Sequence, residues 1–429
     1  MEEASRGLSG RGPAPITFVI GVGGTGKSTV AAALALRMHR DGLRVLLLSV
    51  DGSDPSTLVA DTDVPCERVD PLSVLESQYR AVASALALSG RHDHGGGPSL
   101  PDPEELTAFP GAEPLTALLE VVRRANSGDW DRIVVDCPGA ASWREMLATP
   151  SSIVGYLDRI WPHHSRVVAS TGQDLRVGVL VAIVDRITDA ASSVASVLGD
   201  SARASAIVVT GPSSRVLAST RELLAVTSFH GMHVDRVVAN AVAPDLGGSA
   251  PTSVLGAHPA VFWMDRARAE HRAALDAFAE TVGELRIDVV SAQPTEPVGS
   301  VPLSVVADQV DGQVGEGFGR DALPASAPRV KRRSGSGLDS VYVMEVPLPF
   351  VDADTVAVGR VEDDVIVSAQ GSRRRLRLAS VLRRCTVTGA AIDDDVLTIS
   401  FTPDPALWPE NLQSPITGER APGGESRDG

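Results

Sequence analysis

A glycine-rich segment at residues 21–29 constrains the fold more than any other feature of this sequence. The segment reads GVGGTGKST and matches the pattern G-x-x-x-x-G-K-[ST]. An apolar run with strand character precedes it at residues 16–20, and a helical pattern follows it at residues 28–39. In this order of strand, loop and helix, the N–H groups of the loop converge on phosphate oxygens at the start of the helix. The segment therefore predicts a nucleotide phosphate site within an α/β fold.

Lysine is nearly absent from the chain, and one of its two copies lies in this loop. Of the 39 basic residues, only Lys27 and Lys331 are lysines. In such a loop the lysine reaches the β and γ phosphates, and the hydroxyl that follows it, here that of Ser28, binds Mg²⁺. The residues predicted to bind the nucleotide are Gly23, Gly24, Thr25, Gly26, Lys27, Ser28 and Thr29.

Short apolar runs rich in Val and Ile alternate with helical patterns from residue 16 to residue 307. The predicted strands lie at residues 16–20, 45–50, 133–136, 167–169, 206–209, 234–239 and 287–290. The predicted helices lie at residues 28–39, 72–88, 114–125, 175–197, 214–227 and 265–281. This alternation is typical of a mostly parallel sheet that helices cover on both faces. We therefore predict one α/β nucleotide-binding domain over residues 16–307.

Two carboxylates follow predicted strands at the edge where a parallel sheet binds its ligands. Asp51 follows the run at residues 45–50, and Asp136 ends the run at residues 133–136. An apolar strand that ends in Asp commonly provides a carboxylate for Mg²⁺ in proteins with this loop. The sequence thus predicts a site for a nucleotide and Mg²⁺, with Ser28 and Asp136 as the metal-binding residues.

The C-terminal part of the chain has a different character. Residues 308–340 are rich in Gly, Ala, Pro, Arg and Asp without periodicity, which predicts a flexible linker and a mechanically separate domain after it. Residues 341–403 predict a small all-β domain, and residues 1–15 and 404–429 predict disordered tails. The predicted strands of the β domain lie at residues 341–346, 356–359, 365–368, 373–378, 385–387 and 396–401.

Charge, cysteine content and hydropathy limit the partners and the location that the sequence predicts. A formal net charge of −15 opposes binding to nucleic acid. The three cysteines, Cys66, Cys137 and Cys385, lie far apart, which favours a reducing compartment over a disulfide framework. The sequence has no secretory signal pattern and no apolar run near the roughly 18 residues of a membrane helix. A cytoplasmic location is therefore expected.

Several segments together resemble the arsenite-pump ATPase family, which also contains the ATPases that target tail-anchored proteins. The glycine loop resembles the deviant Walker A motif of the SIMIBI class of P-loop ATPases, to which that family belongs. The other similar segments are residues 46–58, 109–113, 134–138, 146–150, 155–159, 231–244 and 296–299. Residues 341–401 resemble the α-crystallin (small heat-shock) domain that some bacterial members carry.

The resemblance implies roles for individual residues. Asp51 would orient the attacking water, and Asp136 would contact Mg²⁺ directly or through water. Asn240 would read the edge of the adenine ring, and residues 292–299 would flank that base. The family also implies a homodimer, or a heterodimer with a paralogue, and a protein client or membrane partner of unknown identity.

The sequence departs from the family pattern in three places. The family's loop has a second lysine that reaches across a dimer to the other subunit's phosphates, whereas this chain has Val22, which cannot donate a hydrogen bond. In the first switch, Asp54 is an alternative to Asp51 for the water-orienting role. The second switch lacks its usual threonine within residues 138–140. Slow turnover is therefore expected.

Three functions fit these observations. The first is a Mg-dependent ATPase whose nucleotide state controls the binding of a protein or anion client. The second is a catalytically impaired nucleotide-binding scaffold. The third is a chaperone-like partner of an active paralogue, in which the β domain of the present chain holds the client. A small-molecule P-loop kinase is a weaker fourth, because the nucleotide domain has no Arg-rich lid segment.

Overall fold

A seven-stranded parallel sheet forms the centre of the protein. The computed structural model describes residues 12–89, 111–172, 175–244, 258–310 and 328–408. The strands are β1 (Ile16–Gly21), β2 (Val45–Ser49), β3 (Cys66–Arg68), β4 (Arg132–Asp136), β5 (Ala204–Thr210), β6 (His233–Val242) and β7 (Arg286–Ser291). Their order is β3-β2-β4-β1-β5-β6-β7, and every neighbouring pair is parallel. Because β1 is the middle strand, the loop that follows it starts at the centre of the ligand-binding edge.

Helices cover both faces of this sheet, as the sequence predicts. Within the described ranges the helices are α1 (Lys27–Arg40), α2 (Pro71–Ser89), α3 (Ala112–Ala125), α4 (Ala140–Ile160), α5 (His163–Ser170), α6 (Leu175–Leu198), α7 (Ser214–Phe229), α8 (Pro259–Val282) and α9 (Ser300–Gln309). Phe18 and Ile20 of β1 pack in one core with α3 and α4. Val19, between them, packs in a second core with α1 and α9. The strand alternates between two buried faces, which is why its sequence is continuously apolar.

An antiparallel β region follows the α/β part. Its strands are β8 (Arg329–Ser334), β9 (Val341–Pro347), β10 (Ala357–Val361), β11 (Asp364–Ala369), β12 (Ser372–Arg377), β13 (Cys385–Asp393) and β14 (Val396–Pro403). They form a four-stranded sheet, β13-β14-β9-β8, and a three-stranded sheet, β10-β11-β12. Val367, Ile399 and Phe401 lie in the shared core. The predicted fold class, a P-loop α/β domain followed by a small all-β domain, is confirmed.

The predicted linker at residues 308–340 is wrong over the segment that forms β8. This strand pairs with β9 at the edge of the four-stranded sheet, and Lys331 forms an ion pair with Glu345 of β9. All six residues of β8 are exposed, so the segment carries no alternation of apolar and polar residues. Charged side chains on an edge strand also discourage pairing with other chains. Hydrophobic periodicity therefore gave no signal for this strand.

The β region contacts the α/β part, whereas the sequence predicts a mechanically separate domain. Two adjacent arginines of β12, the edge strand of its sheet, make part of the contact, and Arg144 and Arg159 of α4 add further polar contacts to the β region. The Nη1 atom of Arg374 donates to the carbonyl oxygen of Phe229, at the end of α7, at 2.8 Å. The Nη1 atom of Arg375 donates to the carbonyl oxygen of Gly155, in α4, at 2.9 Å. Phe229 itself is fully buried and belongs to the core of the β region.

Two glycines make room for these arginines. A Cβ atom on Gly231 would lie 2.8 Å from Nη2 of Arg374, and the φ of +90° at this position also favours glycine. A Cβ atom on Gly155 would lie 3.1 Å from Nη1 of Arg375. A side chain at either position would push the guanidinium tip of the facing arginine away from the carbonyl oxygen to which it donates.

The predicted strand at residues 167–169 is helical. These residues lie in α5, where Val168 is 69% exposed and Arg166 is buried. The Nε atom of Arg166 donates to Oδ1 of the partly exposed Asp185 in α6 at 2.7 Å, so an ion pair connects α5 to α6. An apolar run of three residues is too short to distinguish a strand from one turn of a helix.

Some sequence predictions lie outside the described residues. These are the tails over residues 1–11 and 409–429, the family-like segment at residues 109–110, and most of the predicted linker, at residues 311–327. Strand β3 and helices α4 and α9 had no counterpart among the predicted elements.

Candidate nucleotide site

The glycine loop lies between β1 and α1 in a conformation that glycine favours. Gly24 and Gly26 have φ values of +78° and +87°, in the left-handed region. Inside the loop, the Thr25 hydroxyl donates to the carbonyl oxygen of Val22 at 2.8 Å. Helix α1 begins at Lys27, so its first N–H groups face the loop. This geometry suits the binding of phosphate oxygens at a helix N-terminus.

Asn240 lies against this loop. Its Nδ2 atom donates to the carbonyl oxygen of Thr25 at 2.9 Å. A Cβ atom on Gly26 would lie 2.2 Å from the same Nδ2 atom, so a larger residue at position 26 would displace the amide. The pairing of β6 with β7 is irregular next to Asn240, and Ala241 has a φ of +57°. The strand end is thus distorted where it meets the loop.

Asp136 is the buried carboxylate of the site. It is 2% exposed, and within the described structure its Oδ1 atom has no hydrogen-bond partner. Burial raises the pKa of Asp136 to about 6; the charge of Asp51 raises it as well, while the Ser28 hydroxyl and Lys27 lower it. An oxygen ligand buried beside a serine hydroxyl at a phosphate loop fits Mg²⁺, which prefers oxygen ligands and keeps part of its water shell. The donor set therefore fits the metal that the sequence predicts.

Asp51 follows β2 and accepts several hydrogen bonds. Its Oδ1 atom accepts from the backbone N–H of Ser53 at 2.8 Å, from the hydroxyl of Ser53 at 2.5 Å and from that of Ser49 at 2.9 Å. Partial burial alone would raise the pKa of Asp51, but these hydrogen bonds and the charge of Lys27 bring it below its ordinary value. Asp51 is therefore an ionised acceptor at neutral pH. Lys27 acts electrostatically on both Asp51 and Asp136, so the three side chains share one site.

Asp54, the alternative to Asp51, has a local structural role. It is the N-cap of a short 3₁₀ helix (Pro55–Thr57), and its Oδ1 atom accepts from the backbone N–H of Ser56 at 3.0 Å. The hydrogen bonds from Ser56 lower the pKa of Asp54. A capping carboxylate of this kind is expected before Pro and Ser in a turn.

Asp61 had no signal in the sequence but connects two parts of the site. Its Oδ1 atom accepts from the backbone N–H of Ser300 at 2.6 Å, and its Oδ2 atom accepts from the Ser300 hydroxyl at 3.0 Å. The N–H of Gly299 donates to the carbonyl oxygen of Leu58 at 2.9 Å. The segment after Asp51 is therefore tied to residues 296–299, which the resemblance places beside the base. An Asp that caps a helix 239 residues away cannot be recognised by local spacing.

Two further properties of the described ranges bear on function. They hold no group of three or more His, Cys, Asp or Glu side chains placed to bind a metal ion. In the same ranges, every helix is too short or too polar to cross a membrane.

Cys137, directly after Asp136, is fully buried, and burial raises the pKa of its thiol well above the ordinary value.

The parallel sheet with a glycine loop between its central strand and first helix defines the class of P-loop nucleotide-binding proteins. Comparison with protein families agrees: residues 15–62 and 95–309 match the anion-transporting ATPase model, and residues 339–401 match the HSP20-like domain found in ArsA. The chain belongs to the anion-transporting ATPase family, and it is a divergent member.

Relatives span nearly the whole chain. Protein Rv2184c of Mycobacterium tuberculosis is 36% identical over 417 residues, which cover 92% of this chain and 98% of that protein. Uncharacterized protein SCO2128 of Streptomyces coelicolor is 31% identical and covers 91% of this chain and 98% of its own length. A putative arsenical pump-driving ATPase of Chlorobaculum tepidum is 22% identical over 90% of this chain and 95% of its own. Both parts of the structure thus occur together in related proteins.

Proposed function

We propose that this protein binds ATP with Mg²⁺ at residues 21–29, hydrolyses it slowly, and couples its nucleotide state to the binding of a protein or anion client. Membership of the anion-transporting ATPase family supports the class of reaction. The observation that carries the nucleotide site is the buried Oδ1 atom of Asp136, which lacks a partner among described residues and lies beside Ser28 and Lys27. An ionised carboxylate buried in this way is costly unless a cation shares the site.

Each side chain has a distinct role in this proposal. The N–H groups from Gly23 to Thr29 and the ammonium of Lys27 hold the phosphates. Ser28 and Asp136 hold Mg²⁺, which supplies charge neutralisation at the β and γ phosphates when it is bound. Asp51 stays ionised through its hydrogen bonds to Ser49 and Ser53 and orients the attacking water. Asn240 holds the loop by donating a hydrogen bond to the carbonyl oxygen of Thr25. Its amide oxygen remains available to accept a hydrogen bond from the edge of the adenine ring.

Val22 favours a second candidate, a nucleotide-binding scaffold that hardly turns over. Its side chain adds no donor to the loop, and its carbonyl oxygen accepts the Thr25 hydroxyl. Charge that builds up on the phosphates in the transition state then has one cation fewer to stabilise it. A paralogue that carries the missing lysine would restore the activity in a heterodimer, whereas a homodimer of this chain would stay slow.

Exposed apolar side chains support a protein client. Tyr156 and Ile160 of α4 are 69% and 79% exposed, Val168 of α5 is 69% exposed, and Leu180 of α6 is 50% exposed. Apolar side chains on successive helices are suited to an apolar segment of another protein. We propose that the client binds these side chains in the cytoplasm. Helix α4 would transmit the nucleotide state to the client, because it begins four residues after Asp136 and carries two of the exposed apolar side chains.

Calorimetric titration of the full chain with ATP, in the presence of Mg²⁺, tests the proposal. Lys27→Ala should weaken ATP binding by about ten- to a hundredfold, since it removes a charge-assisted contact to phosphate without changing the loop backbone. Lys331→Ala is the matched control, because it removes the chain's other lysine from an ion pair on β8. Equal affinity in the wild type and Lys27→Ala would contradict the assignment of the loop.

A further inference from the structure

A cavity of about 310 Å³ lies between the α/β part and the β region, away from the phosphate loop. Helices α4 and α6 form one wall, with Leu147, Ala195 and Leu198. Strand β12 forms the opposite wall, with Leu376 and three arginines at positions 374, 375 and 377. His230, at the end of α7, also lines it. The size is at the lower end of the range for small-molecule sites, and one side is apolar while the other is cationic.

The cationic side carries groups that lack acidic partners. Arg374 donates to the carbonyl oxygen of Phe229, and no carboxylate of the described residues pairs with it. Burial lowers the pKa of Arg374 to about 10. By contrast, Arg375 is paired with Asp364 of β11, with Nε and Oδ2 separated by 2.6 Å. The described residues that line the cavity include no acidic side chain. Arg374 is therefore a half-buried cation with no carboxylate partner among the described residues.

His230 adds a second unsatisfied group. Its Nε2 atom is buried and, in the described structure, has no hydrogen-bond partner. Burial, together with the nearby charges of Arg374 and Arg144, lowers the pKa of His230 to about 4. The imidazole is thus neutral at physiological pH and can present an N–H at Nε2. A buried donor without an acceptor costs free energy, and an oxyanion would accept from it and from the guanidinium together.

We propose that this cavity binds a small organic anion, with its carboxylate or phosphate head between Arg374 and His230 and a compact apolar body on Leu147, Leu198 and Leu376. The apolar wall argues against an inorganic ion as the preferred ligand, since a small ion would leave that wall without contacts. The site draws on both parts of the chain, because α4 and α6 supply the apolar wall and β12 the arginines.

The test is calorimetric titration of the full chain with hexanoate, hexyl phosphate, inorganic phosphate and hexylamine. Hexanoate and hexyl phosphate distinguish a carboxylate head from a phosphate head, inorganic phosphate lacks the apolar body, and hexylamine has the wrong charge. We expect one saturable site per chain for at least one of the two organic anions, tighter than for inorganic phosphate. Hexylamine should not bind. Repetition in Lys27→Ala, whose cavity residues are unchanged, should give the same affinity and so separates this site from the phosphate loop.

Variants identify the head-group contacts. Arg374→Met keeps an unbranched side chain about as long as the arginine stem but removes the guanidinium, and it should weaken binding about ten- to a hundredfold. Arg373→Met is the control, because Arg373 lies on the same strand, is exposed and does not line the cavity. If Arg374→Met does not fold, Ala195→Phe fills the cavity from the opposite wall and should abolish binding. The proposal is overturned if neither organic anion binds, if hexylamine binds as well as they do, if both Met variants weaken binding equally, or if Ala195→Phe binds normally.

Discussion

The amide nitrogen of Asn240 donates to the carbonyl oxygen of Thr25 across 2.9 Å, although 215 residues separate them in the chain. This bond connects the end of β6 to the phosphate loop. It fixes the peptide just before Gly26, whose left-handed conformation directs the chain into α1. The shape of the loop therefore depends on a residue from the far half of the α/β part.

Substitution of Asn240 should weaken ATP binding in a graded way. Asn240→Ala removes the donor to Thr25 and should cost a few-fold to about tenfold in affinity, as one neutral hydrogen bond does. Asn240→Asp places a carboxylate next to a carbonyl oxygen and near the phosphates, so repulsion should make its loss larger than that of Asn240→Ala. Calorimetry with ATP and Mg²⁺ measures both. Equal losses would mean that Asn240 acts by shape rather than by its hydrogen bond.

The ionisation of Asp136 should make the stability of the metal-free protein depend on pH. Burial raises the pKa of Asp136 from its ordinary 3.8 to about 6, so the folded state binds this proton more tightly than the unfolded state does. Stability is then lost as pH rises from about 4 to about 6, by roughly 3 kcal/mol. Asp136→Asn, neutral at any pH, should melt at a higher temperature than the wild type at pH 7.5 without Mg²⁺.

The difference in melting temperature between Asp136→Asn and the wild type should shrink toward pH 4.5, where the wild-type carboxyl is protonated. With Mg²⁺ and ATP at pH 7.5, the order should reverse, because only the wild type gains the metal contact. A difference that is the same at both pH values would show that Asp136 does not titrate in this range.

Substitutions of Asp51 and Asp54 should have different effects on ATP hydrolysis, because Asp51 is proposed to act in the reaction and Asp54 caps a short helix. Asp51→Asn should bind ATP nearly normally but release phosphate at least about tenfold more slowly, because an oriented water contributes in the transition state. Asp54→Asn keeps a capping side chain at the start of the short helix and should change neither quantity by more than a few-fold. Parallel calorimetry and phosphate-release assays measure the two effects. Slow release in Asp54→Asn with a normal rate in Asp51→Asn would transfer the role to Asp54.

Position 22 should control the rate of hydrolysis. Removal of a preorganised donor typically costs about 10²–10³ in rate, so the unmodified protein should hydrolyse ATP very slowly. Val22→Lys should raise kcat, with a dependence on protein concentration if the lysine acts across a dimer. Val22→Met, of similar length but without charge, is the control and should stay slow. Fast hydrolysis by the unmodified protein at every concentration would show that charge is neutralised within one subunit.

Removal of the β region should destabilise the α/β part. A variant that ends at Val310 keeps the α/β core but exposes Phe229, which is fully buried in the intact chain. The loss of that burial alone corresponds to about 1.5–3 kcal/mol, and two hydrogen bonds from β12 are lost as well. The melting temperature should therefore fall by several degrees relative to the full chain. An unchanged melting temperature would mean that the contact of β12 with α4 and α7 does not contribute to stability.

The parts of the fold with strong local signals were predictable. The apolar run from Ile16 and the glycines before Lys27 specify β1, the loop and α1 through rules that act over a few residues. Strand β4 was predictable for the same reason, since its apolar core ends in Asp136. These elements also contain most of the candidate nucleotide site.

The parts that depend on distant contacts were not predictable. The charged strand β8 shows no alternation because all of it is exposed, and only its pairing with β9 makes it a strand. Arg166 of the helix α5 is buried and forms an ion pair with Asp185 in α6, which its local sequence does not reveal. The bond of Asn240 to Thr25 and the cap of Ser300 by Asp61 join segments more than 200 residues apart. Local spacing carries no information on such pairs.

The contact of Gly155 and Gly231 with the two arginines of β12 ties the evolution of the two parts of this protein together. A methyl group added at position 231 would strain a backbone whose φ is +90° and would push the guanidinium tip of Arg374 away from the carbonyl oxygen of Phe229. Chimeras made by exchanging C-terminal regions between relatives should therefore keep both hydrogen bonds best when each glycine and the arginine that faces it come from the same parent.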